Sequence, residues 1–410
     1  MKYYTSQIFT FLFAIHLFGQ NSIQHDYSIG TTHTIYSEVL NEDRDIFISV
    51  PHGFWGLDDN IKQSPLTIVL DGESQFQHTV AAIDFLSSAP NGNDLMPRSI
   101  IVGIKNTNRV RDLTPINGIL GNNIHSLEAT GGGVRFLEFI TTELIPYIDS
   151  SYSTIANRTL IGHSLGGLIV FEALLNHRDY FNNYLVIDPA LDFDNGSYMN
   201  TILDTLNKAI LSDETLFVAK ANGVPPILKN KDISQDTAQL LRLPLAILQF
   251  FSDATSHEWN IKHSLIDYPT DDHFSVAYPA TSDGLRFFYS YYPFKDIINY
   301  FHPAVTDSDL VDKLKLHFEN ISKELGHTVI PMESYLNSWA FGISEFGRVD
   351  LSIDLFDYSI ELYPENASAF TIKADFMRRH NHIQQAIKLY EKSLTLENDE
   401  SIINLIKQLK

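Results

Sequence analysis

The 410-residue sequence predicts an α/β fold: a mostly parallel central sheet with helices on both faces, followed by a small all-helical region. Three observations support this. Short apolar segments alternate with amphipathic segments between residues 66 and 292, as in sheets whose strands are buried on both faces. A glycine-rich turn at 162–167 joins one apolar segment to an apolar helix. After residue 294 the helical pattern continues without strands.

The elements follow in chain order from periodicity and turn residues. An alternating pattern predicts an antiparallel pair at the start, and short apolar runs predict the buried strands. The predicted strands are residues 31–40, 44–50, 66–70, 98–104, 159–161, 184–187, 215–219 and 259–268. The predicted helices are residues 78–86, 134–147, 168–175, 234–251 with an interruption at Pro244, and 280–292.

The segment from Gly162 to Gly166 reads Gly-His-Ser-Leu-Gly, the G-x-S-x-G pattern of a nucleophile elbow. Such a tight strand-to-helix turn leaves no room for side chains two residues on either side of the serine. The pattern is short, but the apolar strand before it and the apolar helix after it supply the required context. Ser164 is therefore the predicted nucleophile. The alternative is a glycine-rich turn with an incidental serine.

Composition narrows the classes of function. The formal net charge is −21 and the isoelectric point is near 5.0, which disfavours nucleic acid and anionic lipid as partners. The chain has no cysteine, so thiol nucleophiles, disulfides and thiolate metal sites are excluded. No His-x-x-x-His pair or glutamate-rich cluster falls on one face, so we expect neither a metal nor a cofactor.

The first 20 residues predict a signal peptide, and hence a secreted or periplasmic protein. Lys2 gives a basic start, and residues 8–18 form an apolar core that is too short to span a membrane. A buried N-terminal helix is the alternative, and the cleavage site stays open. The sequence has no other apolar stretch of 18 or more residues, so we expect no integral membrane segment after cleavage.

The chain is divided into a catalytic domain at 25–295, a helical connector at 296–335 and tetratricopeptide-like repeats at 336–410. The repeat period is 34 residues. Small and aromatic residues recur in register: Leu336, Ala340, Ser352, Phe356 and Ser359 recur as Phe370, Ala374, Ala386, Tyr390 and Ser393. Two repeats are too few to be stable alone, so we expect helices between residues 310 and 324 to pack against them. Unrelated amphipathic helices are the alternative.

A serine nucleophile needs a base, and the base needs an orienting carboxylate. His273 is the predicted base, because it follows the last strand in a polar loop. The chain order serine, acid, histidine places the acid after the seventh strand. Asp236 is chosen there, although it also suits a helix N-cap. The other candidates are Asp232, Asp253, Asp188 and Asp272, and a dyad without an acid stays open.

An oxyanion hole needs two backbone N–H groups. Leu165, the residue after the nucleophile, supplies one. We expect the other from Gly72 or Glu73, in the turn after the strand at 66–70.

Together these motifs resemble the esterase family of α/β hydrolases, near its siderophore-esterase and esterase-D-like members. The resemblance covers roughly residues 30–295 and runs through Leu70–Glu73, Val102–Ile104 with Arg109–Pro115, Glu143–Ile148, Ile161–Gly167, and Asp272–Val276 with Asp283–Arg286. It implies the α/β-hydrolase fold, with Ser164 as nucleophile, His273 as base and Gly72 in the oxyanion region. It also places Arg109 or Arg111 near the substrate, although each could instead pair with Asp112.

The sequence departs from the family pattern in two turns. The turn after the sixth strand usually reads Ser-Pro-Ser-Leu-Trp-Trp, whereas this chain has Asp-Pro-Ala-Leu-Asp-Phe at 188–193. The acidic residue common after the seventh strand is replaced by Gly-Val-Pro-Pro at 223–226. The predicted acyl pocket is therefore less aromatic, and the acid is the least determined member of the site.

The predicted function is hydrolysis of a small-molecule carboxylic ester by a Ser-His-Asp acyl-enzyme mechanism. One alternative is a catalytically silent binding module whose tetratricopeptide-like tail binds a protein partner. Another is acyl transfer to a sugar or lipid with the same residues. Siderophore esters, feruloyl esters, acetylated sugars and short acyl esters all stay open as substrates, and so does the oligomeric state.

Overall fold

The computed structural model describes residues 28–51, 63–88, 94–120, 130–223, 241–302 and 308–410. Within these ranges one sheet has the strand order β1-β2-β4-β3-β5-β6-β7-β8. The strands are β1 (Thr31–Ser37), β2 (Glu42–Ser49), β3 (Ser64–Val69), β4 (Ile100–Ile104), β5 (Thr154–His163), β6 (Asn183–Ile187), β7 (Ile210–Ala221) and β8 (Asn260–Tyr268). The β1–β2 and β2–β4 pairs are antiparallel and all other pairs are parallel. The predicted α/β-hydrolase architecture is confirmed.

Helices connect the strands of the sheet and then continue alone. Those of the sheet domain are α1 (Gly72–Leu86), α2 (Arg109–Asp112), α3 (Gly133–Phe139), α4 (Ile145–Ser151), α5 (Leu165–Asn176), α6 (Ser197–Leu206), α7 (Arg242–Ser256) and α8 (Ala277–Phe288). A π-helical segment, Ile140–Leu144, joins α3 to α4. The later helices are α9 (Ile297–Tyr300), α10 (Leu310–Leu325), α11 (Glu333–Glu345), α12 (Val349–Leu362), α13 (Ala367–Arg379), α14 (Ile383–Leu394) and α15 (Glu400–Leu409).

The central strands are buried on both faces. Successive residues of β5 point to opposite sides of a sheet, so Leu160 belongs to one apolar core and its neighbour Ile161 to the other. This two-sided burial explains why these strands read as continuous apolar runs instead of alternating ones.

Strand register determines which residues meet at the carboxyl edge of the sheet. Strand β5 lies between β3 and β6, with Ile161 opposite Val69 and His163 opposite Ile187. The residues that follow these strands are therefore neighbours: Ser164 after β5, Asp188 after β6 and the turn containing Gly72 after β3. Reactive groups of open α/β sheets gather at this edge.

The C-terminal helices form two similar pairs. Helices α13 and α14 each begin 34 residues after α11 and α12, respectively. The recurring residues are buried in both pairs, including Ala340 with Ala374 and Phe356 with Tyr390. Leu314 of α10 lies in the same apolar core as Leu336 and Leu355, so α10 packs against the first pair. The region is all-helical, as expected, and its assignment as tetratricopeptide repeats stays a prediction.

The ends of several elements differ from the prediction: the helix predicted at 78–86 begins at Gly72, for example, and the strand predicted at 31–40 ends at Ser37. Two other local predictions also differ from the structure. Pro244 does not interrupt a helix: α7 begins at Arg242, so Pro244 lies in the first turn, where an amide hydrogen has no partner within the helix. The predicted loop at 105–114 contains the short helix α2. Residues 234–240 of the predicted helix and the predicted signal peptide lie outside the described residues. In the described part of the chain, no helix has the length and apolar character needed to cross a membrane.

An ion network joins β2 to α2. Arg44 is fully buried, and its Nη1 lies 2.6 Å from Oδ2 of the equally buried Asp112. Arg111 contacts the other carboxylate oxygen of Asp112 at 2.6 Å and also pairs with Glu42. Hydrogen bonding from Arg111 lowers the pKa of Glu42 to about 2. The stability that Glu42 contributes is therefore present above its usual pKa of 4.5 and is lost as the pH falls towards 2.

Asp112→Ala is expected to lower the free energy of unfolding by about 3–5 kcal/mol, because it removes the carboxylate that both Arg44 and Arg111 contact and leaves buried positive charge behind. The measurement is the unfolding midpoint by circular dichroism. Asp204→Ala is the control, since Asp204 and its partner Lys208 are both mostly exposed, and it should leave the midpoint nearly unchanged. Equal midpoints for the two variants would show that the buried network contributes nothing.

Candidate active site

Ser164 occupies a strained turn between β5 and α5. Its φ of 59° and ψ of −117° lie outside the regions that L-residues favour, which costs free energy that the surrounding structure must offset. Three backbone hydrogen bonds hold it: its N–H donates to Ile187 at 2.9 Å, and its carbonyl accepts from Gly167 and Ala190, both at 3.0 Å. The predicted nucleophile therefore has the backbone conformation of a nucleophile elbow.

The glycine at 162 is required by this turn. A Cβ atom at Gly162 would lie 2.2 Å from the carbonyl oxygen of Gly166, which no side chain can tolerate. The close approach brings the first turn of α5 directly behind Ser164. The N–H group of Leu165, the first residue of α5, has no acceptor within the helix.

His273 meets a carboxylate that follows β6. It lies in the loop between β8 and α8, and its Nδ1 is 2.5 Å from Oδ2 of Asp188. A carboxylate only accepts hydrogen bonds, so Nδ1 carries the proton and Nε2 is left with a lone pair in the neutral ring. The Asp188 side chain is 4% exposed and that of His273 is 24% exposed. The contact therefore pairs a buried acid with a base that solvent can reach.

Asp188 is itself held in place. Its second carboxylate oxygen, Oδ1, accepts a hydrogen bond of 2.8 Å from the N–H of Ala221 on β7. Its own N–H donates to Ala219 at 2.8 Å, and its backbone has a positive φ of 40°. These contacts leave Oδ2 directed at the imidazole, so the carboxylate can orient the ring.

The loop that carries His273 is shaped by its neighbour Asp272. The Asp272 carboxylate accepts hydrogen bonds from the N–H groups of Phe274 (2.9 Å) and Ser275 (2.8 Å). These bonds lower the pKa of Asp272. Asp272 therefore stabilises the backbone of the loop, whereas Asp188 contacts the imidazole ring of His273.

The predicted oxyanion residues lie at the starts of two helices. Gly72 and Glu73 are the first residues of α1, and Leu165 is the first residue of α5. Because β3 and β5 are adjacent, both helix N-termini face the same edge, where unbonded N–H groups favour negative charge. Gly72 also has a packing role, since a Cβ there would lie 2.9 Å from the backbone of Gly103 on β4.

The two predicted substrate-binding arginines have different surroundings. Arg109 binds Asp71 with two nitrogens, Nε at 2.6 Å and Nη2 at 2.8 Å, beside the start of α1. Asp71 is almost fully buried, but 38% of the Arg109 side chain is exposed. Arg111 lies instead in the network with Glu42 and Asp112. Both roles stay predictions, and the position of Arg109 at the sheet edge favours it over Arg111.

A second histidine packs against the base. His163, the last residue of β5, is 7% exposed, and its ring centroid lies 4.6 Å from that of His273. Its Nε2 is 2.7 Å from the backbone carbonyl oxygen of His273. Burial, followed by the neighbouring charge of His273, lowers the pKa of His163 to about 4. His163 is therefore neutral near pH 7.

This shift predicts a pH-dependent stability. Between pH 6.5 and 4 the unfolded chain protonates His163 and the folded chain does not, so stability falls as the pH drops through this window. Between pH 7 and 4.5 we expect His163→Gln to lose about 2–3 kcal/mol less stability than the wild type. Unfolding midpoints of both proteins at the two pH values test this. Parallel losses would show that His163 does not resist protonation in the fold.

The structure brings Ser164, His273 and Asp188 to one edge of the sheet, with Leu165, Gly72, Glu73 and Arg109 around them. Asp236, the acid chosen from the sequence, and Asp232 lie outside the described residues. Asp253 lies within α7. The sequence analysis assigned no role to His163 or Asp71.

In the described ranges no group of three or more histidine, aspartate or glutamate side chains has the geometry to hold a metal ion.

Comparison with known proteins finds similarity to esterases. Residues 37–224 match the family described as "Putative esterase". Over these residues, which are less than half of the chain, the sequence is similar to that esterase family. The chain is 26% identical over 235 residues to the ferri-bacillibactin esterase BesA of Bacillus subtilis (strain 168), a match that covers 54% of this chain and 78% of the relative.

Solved structures extend the likeness beyond the esterase-family region. An IroE-like serine hydrolase from Shewanella oneidensis is 28% identical, with a TM-score of 0.64 over 82% of this chain and 99% of that chain. An uncharacterised protein from Capnocytophaga ochracea DSM 7271 is 18% identical, with a TM-score of 0.58 over 92% of this chain and 99% of that chain. The second likeness shows the fold alone, and its coverage reaches into the helical region.

Proposed function

We propose that this protein is a serine esterase in which Ser164 is the nucleophile, His273 the general base and Asp188 the orienting acid. The N–H of Leu165, with that of Gly72 or Glu73, binds the oxyanion. This assignment replaces Asp236 with Asp188, the acid that follows the strand adjacent to the nucleophile strand.

The contact between His273 and Asp188 carries the proposal. A buried carboxylate at 2.5 Å from Nδ1 holds the imidazole in the tautomer whose Nε2 can accept a proton. The same carboxylate stabilises the imidazolium that forms on proton transfer. The conformation of Ser164 also supports the proposal. Its strained backbone lowers the stability of the fold, and such strain is found mostly at functional sites.

In the acylation half, Ser164 Oγ attacks the carbonyl carbon of the ester, and Nε2 of His273 takes the hydroxyl proton. The carbonyl oxygen becomes an oxyanion, which the N–H groups at the starts of α5 and α1 stabilise. The tetrahedral intermediate then collapses. The bond to the alcohol oxygen breaks, His273 returns the proton to it, and an acyl-enzyme on Ser164 remains.

In the deacylation half, His273 takes a proton from water, whose oxygen attacks the acyl carbon. The second tetrahedral intermediate uses the same N–H groups. Its collapse releases the carboxylic acid and returns the proton to Ser164 Oγ, so the enzyme is regenerated. An acceptor alcohol in place of water would give acyl transfer by the same steps.

The substrate we propose is a small-molecule ester. The names of the related esterases place ferric siderophore esters first among those to test. We also propose that the protein is exported to the periplasm or the medium, and that the helical region is a tetratricopeptide-like unit able to bind a protein partner.

The purified protein should be assayed against a panel of esters: a ferric siderophore ester, methyl ferulate, an acetylated sugar and p-nitrophenyl acetate. We expect turnover of at least one ester, with release of one acid per alcohol. Ser164→Ala protein prepared in the same way is the blank. No turnover above this blank for the whole panel, by protein that is folded by circular dichroism, would contradict the proposal. An acceptor alcohol that diverts most of the acyl group would favour acyl transfer.

A further inference from the structure

His163 is next to the proposed nucleophile in the sequence and contacts the proposed base. It precedes Ser164 in sequence, and its ring packs on that of His273 with an interplanar angle of 40°. A carbonyl oxygen only accepts hydrogen bonds, so at 2.7 Å from the carbonyl of His273 the Nε2 atom of His163 must be the donor. The neutral ring is therefore the Nε2–H tautomer.

This hydrogen bond ties the base to the strand that carries the nucleophile. Asp188 orients the imidazole of His273 through Nδ1, and the Asp272 carboxylate holds the loop backbone at Phe274 and Ser275. His163 adds an attachment at the main chain of His273 itself. The side chain adjacent to Ser164 is therefore one of the groups that fix the position of the base.

The surroundings of His163 keep it uncharged. Its ring is buried, His273 lies against it, and the carboxylates of Asp188 and Asp71 act in the opposite sense on its pKa. Arg109 offsets Asp71 through its two contacts. A neutral ring at this position does not repel the imidazolium that His273 becomes when it takes the serine proton, whereas a second cation at 4.6 Å would oppose it.

We propose that His163 is a positioning residue for the general base: its Nε2–H holds the backbone of His273 at the end of β5, and its neutral ring supports the imidazole. The inference rests on the proposed function. It assigns His163 no contact with substrate and no share in proton transfer.

Three variants of His163 distinguish the loss of the hydrogen-bond donor from a change in the size of the side chain. In His163→Gln the side-chain amide reaches as far as Nε2 and can still donate, whereas in His163→Asn it is too short. His163→Phe keeps the ring and loses the donor. We expect kcat to fall about 10- to 100-fold for the Asn and Phe variants with KM within about two-fold of the wild type, because misplacement of a catalytic group lowers kcat. The Gln variant should recover most of kcat.

Equal kcat values for the Gln and Asn variants would overturn the inference, whether both match the wild type or both fall. If His163→Phe does not fold, the comparison of Gln with Asn still decides. Ser164→Ala in the same assay tests the proposed esterase function separately from the role of His163. If Ser164→Ala is inactive and all His163 variants are fully active, the esterase proposal holds and the inference about His163 is wrong. If Ser164→Ala keeps its activity, both are wrong.

Discussion

Asp188→Asn is expected to lower kcat by about 10³- to 10⁴-fold while the protein stays folded. The amide keeps an oxygen for the N–H of Ala221, so the end of β6 should hold its shape. It removes the negative charge that faces Nδ1 of His273, and its NH₂ group favours the tautomer with a proton on Nε2, which cannot accept one from Ser164. Steady-state kinetics on the best ester, with circular dichroism of the variant, measure this effect.

The other candidate acids supply the controls. Asp253→Asn changes a carboxylate within α7, and we expect activity within about two-fold of the wild type. Asp232→Asn and Asp236→Asn test the acids that chain order favours. If either variant loses most of its kcat while Asp188→Asn stays within about ten-fold of the wild type, the orienting acid lies in the segment after the seventh strand and is not Asp188.

Ser164→Ala is expected to lower kcat by about 10⁵- to 10⁶-fold, the largest effect of any substitution in this protein. It removes the atom that forms the acyl-enzyme, whereas the oxyanion N–H groups and the substrate site remain. Product release from the best ester over several hours measures the residual rate. Ser338→Ala is the matched control, because Ser338 is an exposed helical serine in α11. Turnover by Ser164→Ala within about 100-fold of the wild type would mean that another group attacks the ester.

Much of the fold could be predicted because it rests on local patterns. The run at 66–70 is apolar except for Thr67, and a short run of this composition suits a strand buried on both faces. The elbow could be predicted because its sterics admit only glycine at 162. His273 could be predicted because a polar loop after the last strand is where the fold places its base.

The acid could not be chosen from the sequence for a physical reason. Asp188 reaches His273 because of the register of β6 beside β5 and a backbone φ of 40°, and neither leaves a local pattern in the sequence. Chain order pointed to residues 222–252 instead. The one available signal was the departure at 188–193, where an aspartate replaces the usual first serine of the turn. His163 was overlooked because its significance is a contact with a residue 110 positions away.

Labelling with a fluorophosphonate, followed by intact-mass measurement and peptide mapping, tests the central claim most directly. We expect one adduct per chain, located on Ser164, with no adduct on Ser164→Ala and a much slower reaction for Asp188→Asn. Such a reagent reacts with a serine only where a base removes its proton and an oxyanion site stabilises the product. Folded wild-type protein that stays unlabelled, or that carries its adduct on another residue, would contradict the account.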